Sequence, residues 1–161
     1  MAALLAIGGA AVRADEVAAV RQLQRSGDTA AALERAERAV AAEPRNTRLR
    51  FLHGVLLLDA QRDDAAMAVF LRLSEDYPEL PEPFNNMALL HARAGRIDAA
   101  RQALETALRN DPGHAVARRN LGDIHLRLAL QAWETAAQQL PADAALQRKL
   151  QVARELAAAS R

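Results

Sequence analysis

Cysteine is absent from the 161 residues, which excludes disulfides, thiolate nucleophiles and thiolate metal sites together. Aromatics are scarce, at 3%, and Val, Ile and Thr are few, so there is little of the material that packs well on a pleated sheet. An excess of one charge is missing too: 21 basic and 20 acidic residues leave a formal net charge of +1, and the signs are interspersed. No face is thereby built to attract phosphate, and nucleic acid is not an expected partner. What is plentiful is Ala, Leu, Arg, Glu and Gln, residues that lose little or no rotamer freedom in a helix. The expectation is an all-α chain. Its length has room for one compact domain or one short solenoid. All but one of the basic residues are Arg, the exception being Lys149.

The opening stretch, Met1 to Val12, reads MAALLAIGGAAV and is too short to span a bilayer, which takes about 20 residues. It has the character of a secretory leader. Val12 and Ala14 supply small residues at the −3 and −1 places before Asp15, so cleavage after Ala14 is expected, in spite of the missing basic residues ahead of the apolar run. The mature chain then carries no integral membrane segment and lies in the periplasm or outside the cell. The alternative is a cytoplasmic chain whose first helix begins here, and Gly8-Gly9 is expected to break such a helix at about 1 kcal/mol each relative to Ala.

A 34-residue period organises the rest. Pro44, Pro78 and Pro112 fall at equal intervals, and the residues before each proline repeat. Ala32, Ala66 and Ala100 lie twelve before; Ala36, Phe70 and Leu104 eight before; Ala39, Leu73 and Ala107 five before. These intervals of four and three set all of them on one helix face. In the preceding helix Gly54, Ala88 and Gly122 are again 34 apart, and two helices are expected to approach closely there. Gly27 in RSGD and Gly95 in RAGR stand where an αL residue can close the first helix of a pair. The middle repeat has Gln61 at that place, so its turn must be made without glycine. Each proline ends a second helix, because it lacks an N–H and pushes the residue before it out of αR.

This pattern resembles the tetratricopeptide repeat (TPR) family, most closely in FNNMALLHARAGRIDAARQALETALRNDP (Phe84 to Pro112) and NLGDIH (Asn120 to His125). The resemblance covers nearly everything from Asp15 to Leu140. It implies a right-handed α-solenoid of helical hairpins, with repeats at about 15–46, 47–80, 81–114 and 115–140. As a whole the chain looks like the small exported TPR proteins of proteobacteria. In the first repeat Val20 replaces the small interhelix residue, and looser packing is expected there.

The fourth repeat departs from the period. Pro141 stands 29 residues after Pro112, five short, while Ala129, Trp133 and Ala136 keep the second-helix spacing before it. The missing residues are those of the interhelix turn, so the two helices are expected to fuse into one of about 25 residues, or about 37 Å. After Pro141 the segment 141–161 is expected to form a capping helix that covers the exposed apolar edge with Leu146, Leu150, Ala153 and Leu156.

Few residues invite a catalytic or metal reading. His91 and His125 occupy the same place in successive repeats with no i,i+4 partner, which gives no zinc pattern; a packing role is expected of both. Asp63-Asp64 and Glu75-Asp76 lie at helix ends, where Asp usually caps. No nucleophile context and no phosphate-cradling glycine loop is present, since Gly8-Gly9 belongs to the leader. The chain is expected to be no enzyme and to need no cofactor or metal.

The resemblance places the ligand groove on the first helices of the repeats. Helical spacing from the small residues then selects Arg48, Phe51, Val55 and Leu58 in the second repeat, Asn85, Asn86, Leu89 and Arg93 in the third, and Arg119, Asn120, Asp123 and Arg127 in the fourth. Asn86 and Asn120 look like the asparagine rungs with which some family members grip a peptide backbone, and an amide both donates and accepts; the same side chains can equally brace neighbouring helices. The family's carboxylate clamp is not reproduced, because Val17 and Leu52 take two of its places, and chaperone tails are disfavoured as ligands. The expected function is a non-catalytic scaffold that holds a protein or peptide partner in the groove. The alternative is a structural or self-assembling subunit of a cell-envelope complex.

Overall fold

The computed structural model describes residues 6–159, and the side chains from residue 16 onward. These form eight helices and no strand: α1 Ala6–Arg25, α2 Thr29–Ala42, α3 Thr47–Asp59, α4 Asp63–Asp76, α5 Pro81–Arg93, α6 Ile97–Asn110, α7 Ala115–Gln139 and α8 Ala144–Ala159. The helices divide after Pro78 into two compact units, α1–α4 and α5–α8. The expected leader, residues 1–14, lies outside the residues whose side chains are described. α1 nevertheless runs through Gly8 and Gly9, against the expected break. Flanked by Ala6, Ala10 and Ala11, the best helix formers, the two glycines weaken the helix without interrupting it.

Three turns repeat with the sequence. Gly27, Gln61 and Gly95 all have positive φ, at 81°, 57° and 73°. Each turn closes with the same pair of bonds: Gly27 N to Gln24 O and Asp28 N to Leu23 O, Gln61 N to Leu58 O and Arg62 N to Leu57 O, Gly95 N to Ala92 O and Arg96 N to His91 O. This is the Schellman arrangement, which satisfies the orphan carbonyls of a helix end. Gln61 makes it without glycine, at the steric cost of a left-handed residue that carries a Cβ. The other connections carry the prolines. Glu43, Tyr77, Asp111 and Leu140 all leave helical backbone as C-caps, as the residue before a proline must. Asn46 and His114 then open the next helices by accepting from Leu49 N and Ala117 N at 3.2 and 3.1 Å.

Interhelix packing follows a volume exchange. In the first compact unit Gly54 of α3 faces Phe70 of α4, and a Cβ on Gly54 would lie 2.6 Å from the ring. At the equivalent place α1 has Val20, and its counterpart on α2 is only Ala36; both are fully buried in one cluster with Ala32, Leu52 and Leu56. The looser packing expected at Val20 is therefore corrected: the larger residue on the first helix is matched by a smaller one on the second. In the second compact unit the pair is Ala88 and Leu104, clustered with Ala100, Ala103, Ala107, Ala117 and Ile124. Valine with alanine, glycine with phenylalanine, and alanine with leucine fill comparable space, as close packing requires.

α7 is one unbroken helix of 25 residues, the length that the missing turn implied. With no second helix folded back on its first half, Gly122 is exposed and a Cβ there would meet nothing. The expected close approach at Gly122 is thus corrected. His125 is exposed for the same reason, whereas His91 is half-buried. α8 packs on α7 through Leu146, Leu150 and Ala153, all buried, with Arg154 paired to Glu134 at 2.9 Å and Lys149 over the Trp133 ring at 5.9 Å. Leu156, expected in that contact, is 54% exposed, because the row of Leu146, Leu150 and Ala153 continues to the half-buried Ala157 and Leu156 turns outward.

Candidate functional site

In the second compact unit the sides of α5 and α7 that carry Leu89 and Asp123 enclose a depression of about 510 Å³. Its apolar lining on α5, α6 and α7 is Ala88, Leu89, Ala92, Leu104, Ile124 and Leu126, and its polar lining is Arg119, Asn120, Asp123 and Arg127. Five of the residues selected by spacing, Leu89, Arg119, Asn120, Asp123 and Arg127, are therefore brought together. Leu89 is 42% exposed although it follows the buried Ala88, since successive helix positions are rotated by about 100°. The end of α8 supplies a further wall through Ala157 and Ala159. Sequence reading missed that wall, because the direction in which α8 leaves Pro141 is set by its packing on α7.

The two candidate asparagine rungs differ. Asn120 donates its Nδ2 to Asn85 Oδ1 at 2.9 Å, a bond that ties α7 to α5. Asn86 donates to the carbonyl of Glu82 in its own helix, also at 2.9 Å. Arg127 reaches the Ala92 carbonyl at 3.5 Å and Arg119 the Asn120 Oδ1 at 3.5 Å, distances longer than an ordinary N–H···O bond. Both guanidinia are exposed. Arg93 is exposed at the C-terminal end of α5 and does not line the depression.

The residues selected in the first compact unit form a different setting. Arg48 is exposed, and Phe51 and Val55 are half-buried, the Phe51 ring lying 5.7 Å from that of Phe70. Leu58 is only 6% exposed and is corrected from a groove residue to a core one. α3 is apolar nearly all round, burying Leu49, Leu52, Leu56, Leu57 and Leu58, as a central helix does. Close by, the Nε2 of His53 is buried without a hydrogen bond, 3.8 Å from Glu37. That contact is electrostatic and too long for a hydrogen bond. Burial lowers the His53 pKa, Arg62 lowers it further, and Glu37 opposes both. His91 is also lowered, by burial and by Arg96, which donates its Nε–H to His91 Nδ1 at 3.0 Å. At the start of the fold Arg35 grips Glu16 with two bonds of 2.9 and 3.0 Å and lowers the pKa of that carboxyl. Among the described residues no group of three or more His, Asp or Glu side chains is placed to hold a metal ion, and no helix is long and apolar enough to cross a membrane.

Two family models, each described as tetratricopeptide repeat, match residues 23–90 and 81–124. Together they take in well over half of the chain. It belongs to the tetratricopeptide repeat family. Among curated proteins none matches the sequence. Solved TPR structures share its fold. The second TPR domain of human RPAP3, solved in complex with the HSP70 peptide SGPTIEEVD, is 22% identical, with a TM-score of 0.62 over 68% of this chain and 92% of that one. MamA from Desulfovibrio magneticus RS-1 is 18% identical, with a TM-score of 0.65 over 84% of this chain and 76% of that one. YrrB, described as a TPR protein with an unusual peptide-binding site, is 24% identical, with a TM-score of 0.61 over 65% and 54%. In this TPR chain Leu52 is buried and Val17 packs against the first unit's core, so neither place offers a polar group to a ligand.

Proposed function

We propose that this TPR chain is a non-catalytic scaffold that holds a segment of a partner polypeptide against α5 and α7, in the bacterial periplasm. The observation that carries the reading is the depression of about 510 Å³, in which an apolar floor at Leu89 and Ala92 is flanked by Arg119, Asn120, Asp123 and Arg127. Apolar surface with a few convergent polar groups is the usual make-up of a binding site. A site of this size buries limited area, and micromolar affinity, about −8 kcal/mol, is the scale to expect. Known TPR structures with bound peptides support the same use of the fold by analogy. The periplasmic part rests on the leader-like residues 1–14, and the native chain is expected to begin at Asp15.

Photo-crosslinking from Leu89 in cells, followed by identification of the captured protein, is the direct test. Leu89→Glu and Asn120→Ala are each expected to reduce capture at least tenfold, about 1.4 kcal/mol, with helicity unchanged. Capture that survives both changes in a folded chain removes the groove reading. An amino-terminal sequence that starts at Met1 in the native protein removes the export reading alone.

A further inference from the structure

α8 carries two apolar seams. Leu146, Leu150, Ala153 and Ala157 follow intervals of four, three and four, and the first three are buried on α7. Ala145, Lys149, Val152 and Leu156 follow intervals of four, three and four and face outward, with Val152 55% and Leu156 54% exposed. Alternation of three and four is the spacing of a helix-pairing seam, at a place where a surface helix ordinarily carries polar residues. Beside this seam Leu126 and Trp133 of α7 complete a trough of about 490 Å³, with Arg148 and Lys149 also on its wall.

We propose that the outer seam of α8 is a dimerisation surface and that its occupant is α8 of a second copy, antiparallel about a two-fold axis at Val152. The charges select this arrangement. Lys149 lies three residues before Val152 and Glu155 three after, so the two-fold sets Lys149 of each copy opposite Glu155 of the other. A parallel pair would instead oppose lysine to lysine and glutamate to glutamate. Self-complementarity of this kind is what a two-fold contact requires. Neither Lys149 nor Glu155 makes an ion pair within the chain among the described residues. The same axis sets Leu156 of each copy against the alkyl stems of Arg148 and Lys149, next to Trp133, where long basic side chains can cover apolar surface and keep their charges in water.

Sedimentation of the full chain over a concentration series tests the proposal. A reversible monomer–dimer equilibrium is expected, and Val152→Glu, which opposes two carboxylates on the axis, is expected to abolish it. Lys149→Glu and Glu155→Lys should each weaken association by about tenfold, and the two together should restore it to within about threefold of the unaltered chain. A chain that stays monomeric throughout, a dimer that survives Val152→Glu, or a double reversal no better than the single ones overturns the proposal. Circular dichroism accompanies each variant. Should Val152→Glu lose helicity, the three charge variants decide alone.

Discussion

α5 and α7 carry the same 34-residue pattern, yet only α5 has the second helix of its own repeat folded against it. Ala88 on α5 is buried at 2% exposure; Gly122, its counterpart on α7, is open to solvent. His91 is half-buried and accepts from Arg96, whereas His125 is exposed. Leu90 and Ile124 are buried alike, so part of the pattern survives. A position in this repeat thus has two kinds of meaning. The place of Ile124 faces α6, and it keeps its role because α6 is still there. Others face the partner helix of their own repeat, and they lose it once the turn is deleted.

Leucine at the two equivalent places separates the helices most strongly. Ala88→Leu forces a larger side chain against Leu104 and is expected to cost about 3 kcal/mol, as overpacked cores do, while Gly122→Leu should leave stability unreduced. Urea denaturation of both variants measures the gap. The next largest effect is Gly54→Ala, expected to cost about 2 kcal/mol because its Cβ meets the buried Phe70 ring. Combining it with Phe70→Leu reproduces the Ala88 and Leu104 pairing and should recover most of that loss. Glycine placement gives a smaller pair of changes. Gly122→Ala should raise stability by about 1 kcal/mol through helix propensity alone. Gln61→Gly should raise it by less than about 1 kcal/mol, by relieving a left-handed residue.

Acid gives the subtlest test. His53 and His91 both have lowered pKa values in the fold, so the unfolded chain binds more protons than the folded one as pH falls. Their contribution is fully present above the ordinary histidine value of about 6.5 and is lost as pH drops through that value toward the lower folded ones. Thermal melts at about pH 7.5 and about pH 5.5 should show the decline. His53→Gln should flatten it.

Much of this architecture was legible in the residues, and for local reasons. The prolines at 44, 78, 112 and 141 stop helices through their own covalent geometry. The αL places at 27, 61 and 95 follow from the same period, down to the turn that Gln61 makes without glycine. The long α7 followed from five missing residues. Helical spacing grouped Leu89, Arg119, Asn120, Asp123 and Arg127, which the fold brings together around one depression, because residues three and four apart share a face. It erred at Leu58, whose face is decided by what packs around α3, and it missed Ala157 and Ala159, which approach from a different helix.

The sequence by itself determined where α1 ends and where α2 to α7 begin and end, since those limits rest on proline, on αL residues and on side-chain caps acting within a few residues. Only the tertiary structure decided which apolar positions are buried. Val20 fits because Ala36 is small, Gly54 is required because Phe70 is large, and Gly122 is idle because nothing stands opposite it. Packing is a property of pairs, and a pair exists only once two helices have been brought face to face.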